Sequence, residues 1–172
     1  MFRGLVRSAL RFTTSPVWTR IKRIALFFAG AAILGIAWQL TVAGLLGKLF
    51  PGEGSAAISK LNTVILSRDW RALIDIVVVG PVIEEFIFRY ALFKVLNFPR
   101  LGVWPTIVLS ALPFGLVHLH IGPLTATFAT LTGLIHGYVY ATTKDIWCAV
   151  GTHSGINVAA LGITAFTLAH SA

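Results

Sequence analysis

Five apolar stretches dominate this 172-residue chain: 24–46, 72–96, 103–119, 123–142 and 146–168. The first is apolar throughout except for Gln39. Its 23 residues would make about 34 Å of helix, enough to cross a hydrocarbon core of roughly 30 Å. The last three stretches are joined by the short turns HIGP and TKD, which force antiparallel neighbours. Composition agrees with this reading. Charged residues make up 12% of the chain, against about 25% in a soluble domain, and the mean hydropathy is +0.84. The expected fold class is all-α, an integral membrane helical bundle of about five transmembrane helices in one domain.

The net charge of +8 is distributed as a membrane-orientation signal rather than as a nucleic-acid face. Arg3, Arg7, Arg11, Arg20, Lys22 and Arg23 all precede the first long apolar run, with no acid among them. In residues 1–23, Phe2, Leu5, Val6, Ala9 and Leu10 repeat at helical spacing opposite a stripe of Arg3, Arg7 and Arg11. A helix of that kind lies flat on an anionic leaflet. The same segment also resembles an organelle transit peptide, but it continues directly into an apolar run with no small-residue cleavage site after it, which favours a retained interfacial helix. Residues 24–71 then form the first span and a polar connection, with a short helix near 58–66. With the amino terminus in the cytoplasm, Lys94, Arg100 and Lys144 fall on the same side. That leaves only Lys48, Lys60, Arg68 and Arg71 outside. The expected location is a prokaryotic inner membrane, with membrane lipids as partners and no nucleic acid. Trp18, Trp70, Trp104 and Trp147 near span ends fit an aromatic belt. The one cysteine, Cys148, excludes an internal disulfide and reads as a small buried hydrophobe.

Span two contains "GPVIEEFIFRY", residues 80–90, which sets Glu84, Glu85 and Arg89 in an oily run. An ionisable group near the bilayer centre costs roughly 2.5–3.5 kcal/mol. Glu85 and Arg89 stand four apart with the acid first, so they share a helix face and neutralise each other. Glu84 is turned about 100° away and left without a partner, the situation of a general base or acid. Gly80-Pro81 just upstream loosens the helix there. Span three ends with His118 and His120, and span five carries His153 and Asn157 on one face. Polar groups on three oily helices are satisfied together if they converge inside the bundle around enclosed water. A carboxylate with a neutral histidine can take a proton from water, and a second histidine and an amide can stabilise an oxyanion. A zinc site of two histidines and a glutamate is the competing use of the same residue types. Neither Ser110 nor Ser154 has a clear acid–histidine relay. His136, in span four, reads as a packing or hydrogen-bonding residue that could line the cavity.

Three pieces then match a known family. "EEFIFR" (Glu84, Glu85, Phe88, Arg89) resembles its E-E-x-x-F-R motif, "FGLVH" (Phe114, His118) its F-x-x-x-H motif, and "HSGIN" (His153, Asn157) its H-x-x-x-N motif. In this order and spacing they resemble the CPBP intramembrane proteases, which comprise type II CAAX prenyl endopeptidases and bacteriocin-processing or immunity (Abi) relatives. Gly133, Gly137 and Tyr138 resemble the family's small-residue helix between the last two motifs.

The resemblance implies that residues 72–170 form a catalytic helical bundle, an endopeptidase acting on a peptide or lipidated protein. It implies that Glu84 and His118 activate water, that His153 and Asn157 stabilise the oxyanion, and that Glu85–Arg89 is the supporting pair. The family is described both as metalloproteases, in which case Glu84, His118 and His153 would hold zinc, and as metal-free glutamate enzymes. Tyr90, where a glycine often follows the arginine, and the small number of spans depart from its pattern. A non-catalytic immunity or scaffold protein that keeps the fold is the alternative function.

Overall fold

In a computed structural model, residues 16–38, 48, 53–96 and 98–170 are described. Every regular element among them is helical. In chain order these are α1 (Val17–Trp38), α2 (Glu53–Ser67), α3 (residues 70–95), the single turn α4 (Phe98–Leu101), α5 (Val103–Leu116), α6 (Pro123–Thr143) and α7 (Ile146–His170). The expected interfacial helix falls largely on residues 1–15, outside the described residues, as does the end of the first apolar stretch.

Local chemistry sets the helix ends. Asp69, assigned to the polar connection, caps α3: its carboxylate accepts from the backbone N–H groups of Arg71 and Ala72 at 3.0 and 3.1 Å. At the other end, Gly102 takes φ +92°, which only glycine adopts at ease, and turns the chain into α5. The sharpest departure from expectation is at α5. The apolar run reaches residue 119, yet the helix stops at Leu116 and residues 117–121 form a turn. His118 therefore lies beyond the helix, and its Nδ1–H donates to the Phe114 carbonyl at 2.8 Å, satisfying one of the orphan acceptors at a helix end.

α5 packs most extensively against α6. Gly115 makes that closeness feasible, since a Cβ there would sit 2.8 Å from the Ala126 carbonyl oxygen. The hydroxyls of Thr127, Thr130, Thr142 and Thr143 all bond back to their own helix, which satisfies them without a second element. α1 crosses α7 where Gly151 and Gly155 admit Ile24 and Phe28. Arg20 Nε pins that crossing by pairing with buried Asp145 at 2.7 Å. α2, longer than the helix expected at 58–66, packs against α7 and α6. Among the described residues, α7 is long and apolar enough to cross a membrane, and α5 is a shorter apolar helix.

Candidate active site

α3 is not a uniform helix. Two π-helical turns, Asp75–Val79 and Phe86–Ala91, flank the α-helical segment Gly80–Glu85. At the first, the Gly80 N–H bonds back to the Asp75 carbonyl, five residues away rather than four. Pro81, next in line, has no N–H to give. The Ile76 carbonyl thus loses its backbone donor in either register. Asn157 on α7 supplies one: its Nδ2 donates to Ile76 O at 2.7 Å. The amide therefore fastens the helix that carries both glutamates, and among the described residues its second N–H has no acceptor.

Glu85, from α3, is fully buried and gathers groups from two other helices. Its Oε1 accepts from His153 Nδ1 of α7 at 2.9 Å and lies 3.2 Å from His136 Nδ1 of α6. Its Oε2 is 3.2 Å from Arg89 Nε, an ion pair by distance whose angle is too oblique for a hydrogen bond. Arg89 is also fully buried, and its Nη2 donates to the Gly133 carbonyl at 3.0 Å. The missing side chain at Gly133 lets α6 approach α5, because a Cβ would fall 3.0 Å from Phe114 Cδ1 and 3.2 Å from Ala111.

The Phe114 ring is the hydrophobic floor of the site. The Arg89 guanidinium sits 4.5 Å over it, Phe88 meets it edge-on at 5.3 Å, and His118 and His153 flank it at 5.0 and 5.8 Å. The phenylalanine of the second motif is thus the surface on which cation and imidazoles are seated.

These bonds fix proton positions. A carboxylate paired with Arg89 only accepts, so the Nδ1 of His153 carries the hydrogen; when the ring is neutral, its Nε2 is bare. The same logic at the Phe114 carbonyl places a hydrogen on Nδ1 of half-buried His118. Glu84, about one-third exposed, places its Oε2 3.8 Å from His153 Nε2. With His153 neutral, two acceptors face each other there across a gap too wide for a direct hydrogen bond. A water, or the N–H or O–H of a substrate, bridges such a pair.

The expected residues are therefore divided. Glu84 and His153 meet, Glu85 and Arg89 pair, and Asn157 reaches α3 through the Ile76 backbone. His118 shares the Phe114 ring with His153 but stands outside the polar cluster. The expected metal set Glu84, His118 and His153 is not the group that the described residues gather. That group is Glu85, His136 and His153, whose donor atoms lie within 4.8 Å of one another and could hold a metal ion. His136, read from the sequence as packing, is fully buried and belongs to the cluster. It stands one helical turn after Gly133 and so shares a face with the glycine whose carbonyl binds Arg89.

The chain is 28% identical over 102 residues to the Bacillus subtilis (strain 168) protein named "Putative membrane peptidase YdiL", an alignment covering 53% of this chain and 41% of that one. It thus spans about two fifths of that relative's length. No solved structure matches the chain. Residues 66–159, more than half of the chain, match the family model "Type II CAAX prenyl endopeptidase Rce1-like" and contain all three motifs. The chain belongs to the Rce1-like family of type II CAAX prenyl endopeptidases.

Proposed function

We propose that the chain is an integral membrane endopeptidase that cleaves a peptide or lipidated protein with a water activated by Glu84. The observation that carries this reading is the 3.8 Å gap between Glu84 Oε2 and His153 Nε2, two acceptors held over a buried ion pair. A water in the gap donates to both. As its oxygen bonds to the scissile carbonyl carbon, Glu84 takes one proton, and the remaining O–H keeps its bond to His153 Nε2. His118, across the Phe114 ring from His153, is assigned to orient that water through a second water. The open N–H of Asn157 donates to the oxyanion. When the C–N bond breaks, Glu84 returns its proton to the leaving amine.

The membrane setting is supported by outward stripes that water would not select. Ile74 and Val78 on α3, Val108, Leu112 and Leu116 on α5, and Ile163 on α7 are all exposed. The five-span bundle, the cytoplasmic amino terminus and the prokaryotic inner membrane belong to this proposal.

The spacing of Glu85, His136 and His153 meets the needs of zinc, but the electrostatics do not. Arg89 already neutralises Glu85 in a fully buried site. A divalent ion on the same carboxylate would leave one positive charge uncompensated even with Glu84 counted, in a site closed over Glu85 and Arg89. The reading is therefore metal-free.

Purified protein in detergent or bilayer, offered membrane-embedded, prenylated and unmodified peptides, should cleave at least one class. Failure to hydrolyse any of them, by protein with a native melting profile, would count against the proposal.

A further inference from the structure

His136 is the polar residue of the cluster that no motif includes. Its ring lies 4.6 Å from that of His153, centroid to centroid, and the two planes are within 20° of parallel. Both rings direct Nδ1 at one atom, Glu85 Oε1, from 3.2 and 2.9 Å. His136 is fully buried and His153 nearly so. Neither nitrogen of His136 makes a well-angled hydrogen bond, so this side chain brings unmet polar capacity into an apolar site. That is costly unless the residue serves its neighbours.

The neighbours explain it. A histidine held only by Glu85 could rotate about that bond or flip its ring. Either motion would turn Nε2 away from Glu84. A parallel ring at 4.6 Å blocks the rotation. A second imidazole at the same carboxylate oxygen keeps that oxygen aimed between α6 and α7. The groups that face this pair are Glu84, Glu85 and Arg89 from α3, with Phe114 from α5 edge-on to both rings.

We infer that His136 is a positioning residue: stacked on His153 and sharing Glu85 Oε1 with it, His136 holds the His153 imidazole in one tautomer and one ring plane, with Nε2 turned to Glu84. It touches no reacting atom in the proposed reaction and acts only through His153. The inference takes its functional meaning from the peptidase reading, although the His153 tautomer can be read without any substrate.

The test is therefore spectroscopic first. Histidine labelled with nitrogen-15 in the intact chain, in detergent, should give a His153 signal of a single Nδ1–H tautomer. In His136→Leu, of similar bulk and no polarity, the signal should broaden or split into two tautomers. His136→Phe, which keeps a ring but loses the nitrogens, should show a weaker form of the same change. His136→Gln, which restores a donor to Glu85, should recover most of the single-tautomer signal. On any peptide the wild type cleaves, His136→Leu should lose kcat on the order of tenfold or more, with KM within about twofold of the wild type. A single unchanged His153 tautomer in both His136→Leu and His136→Phe would overturn the inference. Should His136→Leu fail to fold, His136→Phe decides alone. Tautomer mixing in His136→Leu but not in the wild type, when the wild type cleaves no peptide, would uphold the positioning role while removing the peptidase reading.

Discussion

Glu85 and His153 stand 68 positions apart, yet the Glu85 carboxylate accepts the His153 Nδ1–H at 2.9 Å inside the bundle. That bond joins α3 to α7 and orients the ring whose other nitrogen faces Glu84. Arg89 supplies the compensating charge, so the buried group is neutral as a whole. A site of this kind resists loss of either charge far more than loss of both.

Removing one partner should accordingly be worse than removing two. Glu85→Leu leaves the Arg89 guanidinium buried and unpaired, at an expected loss of about 3–5 kcal/mol in stability. Arg89→Met alone should cost a comparable amount. The double variant Glu85→Leu/Arg89→Met should regain most of it, measured by unfolding in detergent micelles. Additive losses in the double variant would show that the pair does not behave as a coupled buried ion pair.

Asn157 offers a second test, because one of its amide hydrogens is committed to the Ile76 carbonyl. Asn157→Leu should strand that carbonyl and lower stability by about 1–3 kcal/mol. Faster amide hydrogen exchange should be confined to residues around the first π-helical turn. Exchange unchanged near residue 80 would mean that the turn holds itself without α7.

For the metal question, elemental analysis of the purified protein should find zinc well below one atom per chain. Cleavage should survive prolonged treatment with a strong chelator. Activity that is lost to the chelator and restored by added zinc would reassign Glu85, His136 and His153 as ligands.

Much of this arrangement was legible in the sequence, for identifiable reasons. Apolar runs and short connections reveal antiparallel helices because length and hydropathy are properties of a segment by itself. The Glu85–Arg89 pair is legible because its partners lie on one helix face at four-residue spacing. The π-helical turns are not, since they depend on which carbonyl each N–H chooses. Only Gly80-Pro81 hinted at one, and Pro81 does remove the N–H that Ile76 would need. The end of α5 before His118 was equally hidden, because Val117, Leu119 and Ile121 carry the apolar run past the end of the helix. His136 was undervalued because its importance arises from α3 and α7, which periodicity within α6 does not report.

The most direct measurement is the hydrolysis rate of a cleavable membrane or lipidated peptide by wild-type protein and by Glu84→Gln, both with native melting profiles. Glutamine keeps the size of the side chain and loses the base, so the rate should fall about 10²- to 10⁴-fold. A Glu84→Gln rate within twofold of wild type would mean that the carboxylate facing His153 does not activate the water.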